Sequence, residues 1–271
     1  MIDAMHDDLS DKRDGYRWDD YRKDDAIHSL SNQFKSKVAK AEQFVSEWLE
    51  RCEKPYIAFS GGKDSVATLG VAQAVAQRNG FTIPVMWHNS GVEWPGVPLM
   101  IKRMKSIGLI DEFFEVKTTD DVRELKRKQE RGEITAKKKD QIALFDPVDN
   151  FISEYGFTGA AVGLRKGESK GRLIDGIVHG EVFEKKNGFV RCLPINNFSW
   201  RDVFAYIAIN ELPLHPIYSA PLNGLENRGR IRLSWWLSTD NYRYGEIDWI
   251  KRNYPLVYSE IIKELPSVEF K

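Results

Sequence analysis

From Phe34 onward apolar residues recur every three or four positions: Phe34, Val38, Ala41, Val45, Trp48, Leu49 and Cys52. That spacing places them on one face of a helix, with Cys52 on the buried stripe. Short apolar runs and helical stretches then alternate. YIAF, residues 56–59, reads as a buried strand, and 65–77 as a helix that turns Val66, Leu69, Ala72 and Ala76 inward. TIPVMWH reads as a second strand, ending at Asn89. A helix over 97–107 follows, with Met100, Ile101, Met104 and Ile107 on one side. EFFEV (112–116) and TGAAVGL (158–164) read as the third and fourth strands. Asn187-Gly188 between two alternating runs predicts a hairpin whose second arm carries Cys192. Ser199, with Asp202 three residues on, predicts a capped helix through Val203, Phe204 and Ile207 that ends near Asn210.

Alternating strands and helices predict an α/β fold: a mostly parallel twisted sheet with helices on both faces. Three segments are expected: a charged N-terminal arm over 1–30, the α/β domain over 31–220, and a small C-terminal cap rich in arginine and aromatics over 221–271. The arm reads as frayed, or as ordered only by a partner. Ligands in such sheets bind beyond the carboxyl ends of strands, which directs attention to Ser60, His88–Glu93 and Leu164–Arg172.

Composition narrows the choices. The chain has 271 residues, and 40 Lys and Arg balance 40 Asp and Glu, so bulk charge favours neither nucleic acid nor membrane. Any basic site must be local. Two cysteines, Cys52 and Cys192, are too few for a four-thiolate zinc site or an iron–sulfur cluster. No apolar run reaches the roughly 18 residues of a spanning helix, and the first residues are charged. A soluble cytoplasmic protein without a membrane partner is expected. Between Arg123 and Lys139 eight basic residues face three acidic ones. That stretch is either a solvated helix and loop or a mobile basic flap over a polyanion.

The chemistry concentrates in SGGKDS, residues 60–65. A strand stopping at Phe59 and a helix starting near Ser65 leave a short turn. Gly61 and Gly62 allow positive φ and let the backbone approach a ligand. Successive amides and the helix N-terminus attract anions. Lys63 adds a full charge, and Ser60 and Ser65 add hydroxyls. Asp64 would repel phosphate unless it caps the helix or holds Mg2+. A tight turn with a capping aspartate is the bland alternative.

SGGKDS resembles the PP-loop of the ATP pyrophosphatase superfamily. More narrowly, the chain resembles the branch of phosphoadenosine-phosphosulfate (PAPS) reductases and the ATP-sulfurylase small subunit. HNSGVEWPG (88–96), GLRKGESKGR (163–172) and LPINNFSWRDVFAYIAINELPLHPIY (193–218) are similar to that branch's further segments, in the same order. The resemblance implies a Rossmann-like fold of the adenine nucleotide alpha hydrolase type. It also implies ATP or a related adenine nucleotide, Mg2+ on Asp64, and cleavage between the α and β phosphates. Lys63, Asp64 and Arg165 become the catalytic candidates. Ser60, Gly61, Gly62, Ser65, His88, Asn89, Gly91, Glu93, Glu168 and Arg172 become the binding candidates. By chemistry alone, Arg165 offers a rigid fork for phosphate or sulfate oxygens, with Lys166 and Arg172 adding charge. Glu168 orients those arginines or accepts from a ribose; surface ion pairing is the alternative. His88 and Asn89 lie where a base or ribose would sit, or pack a strand end. Trp87 and Trp200 read as core.

The chain departs from the reductases in lacking a cysteine after Cys192, where the family carries a nucleophilic thiol in its tail. Thiol-dependent reduction therefore lacks its nucleophile. The family's cysteine cluster is replaced by ENRGRIRLSWWLS, residues 226–238. In a strand, Arg228, Arg230 and Arg232 would share one face, beside Trp235, Trp236, Tyr242 and Tyr244. Such a surface grips phosphate and stacks on bases; a packed cap is the alternative. The expectation is an ATP-dependent enzyme that adenylylates an unknown acceptor. Two alternatives stay open. One is a non-catalytic nucleotide- or nucleic-acid-binding subunit that meets a partner through 123–139 and 228–244, with a homo-oligomer also open. The other is a sulfonucleotide enzyme using Cys192.

Overall fold

Ser31 accepts from the Phe34 amide and starts the long amphipathic helix α2 (Asn32–Arg51), which buries Phe34, Ala41, Val45 and Trp48. The structure is a computed structural model that describes residues 18–168, 180–222, 228–233, 235–238 and 241–266. Ahead of α2 lies α1 (Trp18–Ser29). Then follow β1 (Pro55–Phe59), α3 (Lys63–Arg78), β2 (Val85–Asn89), α4 (Val97–Ser106) and β3 (Phe113–Lys117). Next come α5 (Val122–Glu130), α6 (Ala136–Asp140), a π-helical turn (Gln141–Phe145) and α7 (Asp146–Tyr155). β4 (Gly159–Val162), β5 (Val182–Glu184), β6 (Val190–Cys192), α8 (Trp200–Ile209), α9 (Glu246–Asn253) and α10 (Pro255–Glu264) complete the order.

The sheet runs β3-β2-β1-β4-β6-β5. All neighbours are parallel except the β5–β6 hairpin, which turns at Asn187-Gly188. β2 and β3 lie on one side of β1, and β4 lies on the other. Chain order therefore reverses between β1 and β4, and their carboxyl ends form the crevice where open α/β sheets bind ligands. Alternation along each strand feeds two cores. Ile57, Phe59, Val85, Trp87, Ala161 and Cys192 join the larger one, under α2, α3 and α8. Tyr56, Met86, Val116, Ala160 and Phe189 face the other way, with Phe151 of α7 and Phe157.

The predicted elements form, with shifts that have local causes. β2 starts at Val85 because Pro84, which has no N–H to donate, precedes it. α3 starts at Lys63, two residues early, with Gly62 as its cap and the Lys63 amide donating to the Tyr218 hydroxyl at 3.1 Å. Ser199 and Asp202 close the expected capping box on α8.

Two expectations need correction, and one of the two readings of 118–139 fails. Residues 18–29 of the arm are not frayed: they form α1, tied to the rest of the chain through Asp25–Arg228 and His28–Asp202. The stretch 118–139 is no loose flap. Val122 and Leu125 are buried, Arg127 reaches Glu124 and Glu264, and Arg131 reaches Glu124 and Glu133. The arginines 228–232 do not share a strand face: Arg228–Arg230 is a 3-10 turn with Arg228 turned inside. Trp236 and Tyr242 are buried too, with Tyr242 stacked on Trp94. Among the described residues no helix is long and apolar enough to cross a membrane.

Candidate functional site

The turn after β1 is shaped by its own serines. The Ser65 hydroxyl donates to the Gly62 carbonyl at 2.8 Å and accepts from both the amide and the hydroxyl of Ser60, each at 3.2 Å. Sequence reading placed these hydroxyls on a ligand; here they fix the loop. Gly61 takes φ +78°, and a Cβ there would lie 2.6 Å from a Val97 methyl. Among the described residues no acceptor meets the amides of Gly61 and Gly62. Buried backbone donors are almost always paired, so the Gly61 amide is built to receive something.

Beside those amides stand three charged groups. Lys63 is only 2% exposed. Its Nζ donates to the Ile231 carbonyl at 3.1 Å and lies 3.1 Å from Asp64 Oδ2. Burial draws the Lys63 pKa down, and the neighbouring Asp64 charge opposes that pull. Arg165, 6% exposed, donates from Nε to Asp64 Oδ1 at 2.5 Å. Its Nη1 reaches the Phe198 carbonyl at 3.4 Å. Gly163 makes this meeting geometrically feasible. A Cβ there would lie 2.8 Å from the Asp64 carbonyl group, so only glycine lets the end of β4 lie against the first turn of α3.

The structure thus brings together Lys63, Asp64 and Arg165, as the motif implied. Asp64 does not fit Mg2+ as placed. Each of its oxygens already faces a cation, so it balances Lys63 and Arg165 instead. Among the described residues no cluster of three metal-ligating side chains occurs.

The end of β2 is built differently. Thr118 donates its only hydroxyl hydrogen to the Ala143 carbonyl at 2.7 Å, so His88 Nε2 must be the donor in its 2.9 Å contact with Thr118 Oγ1. Burial brings the His88 pKa down to about 4, so the ring is neutral at pH 7. Asn89 accepts from the Gly91 amide at 3.0 Å and donates to Glu115 at 2.6 Å. Glu93 accepts from the Ser90 amide and hydroxyl at 3.0 and 2.6 Å, and burial raises its pKa. Gly91 takes φ +81° with nothing near its absent side chain. These four residues shape the crevice rim. Among the described residues their side-chain hydrogen bonds run among themselves and to Ser90, Thr118, Glu115 and Trp235, not to Lys63 or Arg165.

Glu168 closes a 3-10 turn, Lys166–Glu168; its side chain, and the whole of Arg172, lie outside the described residues. Lys166 turns away to Glu181 and Asn197. Trp87 is core, as expected, and Trp200 packs on Phe204. Two parts of the site carried no assigned role in the sequence. Tyr218, in the last motif, receives the Lys63 amide. Ile231 acts through its carbonyl, which no side-chain pattern announces.

The cysteines are not nucleophiles. Cys192 is wholly buried on β6, with Sγ 3.6 Å from the Phe44 carbonyl, and burial drives its pKa well up. Burial pushes the Cys52 thiol up to about 11. The reading of Cys192 as a working thiol fails on that ground.

Known proteins agree with this architecture. The PAPS reductase from Candida auris, in a phosphate complex, superposes with a TM-score of 0.51 at 12% identity, over 73% of this chain and 96% of its own. The Candida glabrata FMN adenylyltransferase in complex with ATP gives 0.50 at 11%, over 77% and 70%. The U34-tRNA thiolase NcsA from Methanococcus maripaludis, with its 4Fe-4S cluster, gives 0.47 at 16%, over 87% and 80%. At such identities the first two likenesses are ones of fold. No curated protein sequence matches the chain. The family described as phosphoadenosine phosphosulfate reductase domain matches residues 54–226, well over half the chain. The chain therefore belongs to the phosphoadenosine phosphosulfate reductase domain family.

Proposed function

We propose that the protein binds ATP or a related adenine nucleotide at the turn after β1 and cleaves ATP between the α and β phosphates, passing the adenylyl group to an acceptor. One observation carries this reading. Two buried cations, Lys63 and Arg165, meet on the Asp64 carboxylate beside glycine amides that meet no acceptor among the described residues. Preplaced cations beside amides at a helix N-terminus suit an anionic ligand.

The linked phosphates would lie on the Gly61 and Gly62 amides, with Lys63 and Arg165 turning from Asp64 toward their oxygens. An acceptor oxygen then attacks the α-phosphorus. The bond to the bridging oxygen breaks, and pyrophosphate leaves with the electron pair. Negative charge grows on the departing group, where two preplaced cations stabilise it without reorganisation. The neighbouring FMN adenylyltransferase transfers an adenylyl group by name, and its structure contains ATP. PAPS reduction by a protein thiol finds no support, since both cysteines are buried.

The test is a screen of acceptors (sulfate, nucleobase carbonyls, candidate proteins) with ATP, read as pyrophosphate and the adenylylated acceptor, or AMP released from it, by chromatography and mass analysis. Wild type should release pyrophosphate with some acceptor, and Lys63→Ala should not. ATP binding without either product under every acceptor would refute turnover.

A further inference from the structure

Among the described residues β3 pairs with β2 alone, so it forms an edge of the sheet. The Val85 amide donates to the Glu112 carbonyl at 2.9 Å, and the Thr118 amide donates to the Asn89 carbonyl at 3.1 Å. Backbone groups alternate sides along a strand, so residues 112, 114, 116 and 118 serve β2. Phe113, Glu115 and Lys117 turn their N–H and C=O groups outward, where no hydrogen bond meets them among the described residues. An open row of this kind is a template for another strand.

Beside the edge lies a groove of about 500 Å3 between β3 and α7. Phe114, Phe151 and Tyr155 wall it, with Phe114 and Tyr155 edge to face at 4.8 Å between centroids. Four carboxylates, Glu115, Asp120, Asp146 and Glu154, line it against one cation, Lys117. Lys117 lies 3.8 Å from Glu115. Asp146 accepts from the Gln141 side chain, and Asp120 meets the Thr119 hydroxyl at 3.4 Å. Among the described residues no cation pairs with Asp120, Asp146 or Glu154. Charge on a strand is enough to guard an edge against aggregation. It does not call for an aromatic groove with unmatched carboxylates beside the strand.

We propose that this edge and groove dock an extended, basic segment of another protein, added to β3 as a further strand. The segment's main chain pairs with Phe113, Glu115 and Lys117, and its alternate side chains enter the groove. There arginine or lysine meets the carboxylates and the aromatic rings. Charge selects this occupant. A second copy of the chain would bring the same four carboxylates to the contact, and nucleic acid would bring phosphates; both set like charge against like. The docked segment lies next to the crevice, because Glu115 accepts from Asn89 and Thr118, the residue after β3, accepts from His88. Docking does not depend on the nucleotide reading above.

The test uses the full chain and a labelled peptide that alternates arginine with valine. Binding is read by fluorescence anisotropy, and amide exchange by mass spectrometry. The peptide should bind and slow exchange at 113–117. Asp120 and Glu154 are exposed. Asp120→Lys and Glu154→Lys should each weaken binding about 5-fold, the scale of one exposed ion pair. A peptide with glutamate for arginine should not bind. A peptide with proline for valine keeps the charge but loses the pairing donors, and should leave exchange at 113–117 unchanged. No binding at millimolar arginine–valine peptide, affinity unaltered in both charge reversals, or unchanged exchange at 113–117 overturns the proposal. A dimer seen in sedimentation that protects 113–117 without peptide assigns the edge to a second copy and overturns it too. So does protection of 113–117 by a single-stranded oligonucleotide.

Discussion

Substituting Gly61 by alanine imposes two separable costs. The first is conformational. Gly61 takes φ +78°, where an L-residue with a Cβ is disfavoured by about 1–2 kcal/mol. The second is steric. The new methyl would lie 2.6 and 2.9 Å from the two Val97 methyl carbons. Val97 is buried at the first turn of α4 and, being β-branched, cannot swing aside easily. Overpacking of this kind costs about 1–3 kcal/mol. Gly61→Ala should therefore destabilise by about 2–5 kcal/mol, the sum of both. Val97→Ala alone removes two methyl groups and leaves a cavity, at about 1–3 kcal/mol. In the double variant the clash is gone and the methyl introduced by Gly61→Ala fills part of the cavity. Its cost should fall short of the sum of the single changes by at least about 1 kcal/mol, leaving the backbone cost behind. Urea unfolding followed by tryptophan fluorescence measures each corner of the cycle. Pyrophosphate titration should show the same pattern, because relief of the clash in Gly61→Ala moves the amides proposed to receive the anion. Additivity within about 0.5 kcal/mol would refute the reasoning, since residues that do not meet do not couple.

Two further outcomes follow from burial. His215 is fully buried, donates from Nε2 to the Pro95 carbonyl at 2.8 Å, and has its pKa drawn down to about 4 by burial. Its folded pKa lies below its unfolded value of about 6.5, so the unfolded chain binds the extra proton. The neutral ring's advantage is present above pH 6.5 and is lost as pH falls toward 4, at most about 3 kcal/mol. Urea titrations across that window should show a shallower pH slope in His215→Gln, and identical slopes would contradict the reading. Cys52 and Cys192 should stay silent toward a chromogenic disulfide reagent until the protein is unfolded, and Cys192→Ser should keep wild-type nucleotide chemistry; a fast-reacting thiol in the native protein would revive the reductase alternative.

Periodicity made the sheet legible because each strand feeds two opposite cores and each helix one. Tyr56 and Ile57 point to different clusters, as alternation requires. α1 was illegible for the opposite reason. It presents no apolar stripe, and what holds it is a set of charged contacts to Asp202 and Arg228, partners whose distance in sequence no local pattern reports. The same pair misled the reading of Arg228, Arg230 and Arg232. Their alternation suggests a strand, but a buried carboxylate captures the first arginine and turns the chain. Lys63, Asp64 and Arg165 could be picked out from motifs because they meet through their side chains. The structural roles of Ser60, Ser65, Asn89 and Glu93 could not be read by the same means. A hydroxyl or carboxylate beside a glycine turn serves a ligand and a loop equally well, and only the hydrogen bonds distinguish them.

Asp64 shows why a carboxylate belongs beside two buried cations. Without it, Lys63 and Arg165 would stand buried and like-charged, each penalised by lost hydration. With it, both are held on one carboxylate beside the loop, and part of the Coulomb cost of gathering them is offset. The fold supplies the rest. Parallel β1 and β4 end side by side where chain order reverses, and Gly163 lets the second lie against the first turn of the helix that follows the first. A side chain at Gly163 would separate Arg165 from Asp64. The meeting of Lys63, Asp64 and Arg165 is thus a product of the sheet's topology and one missing Cβ as much as of the residues that carry the charge.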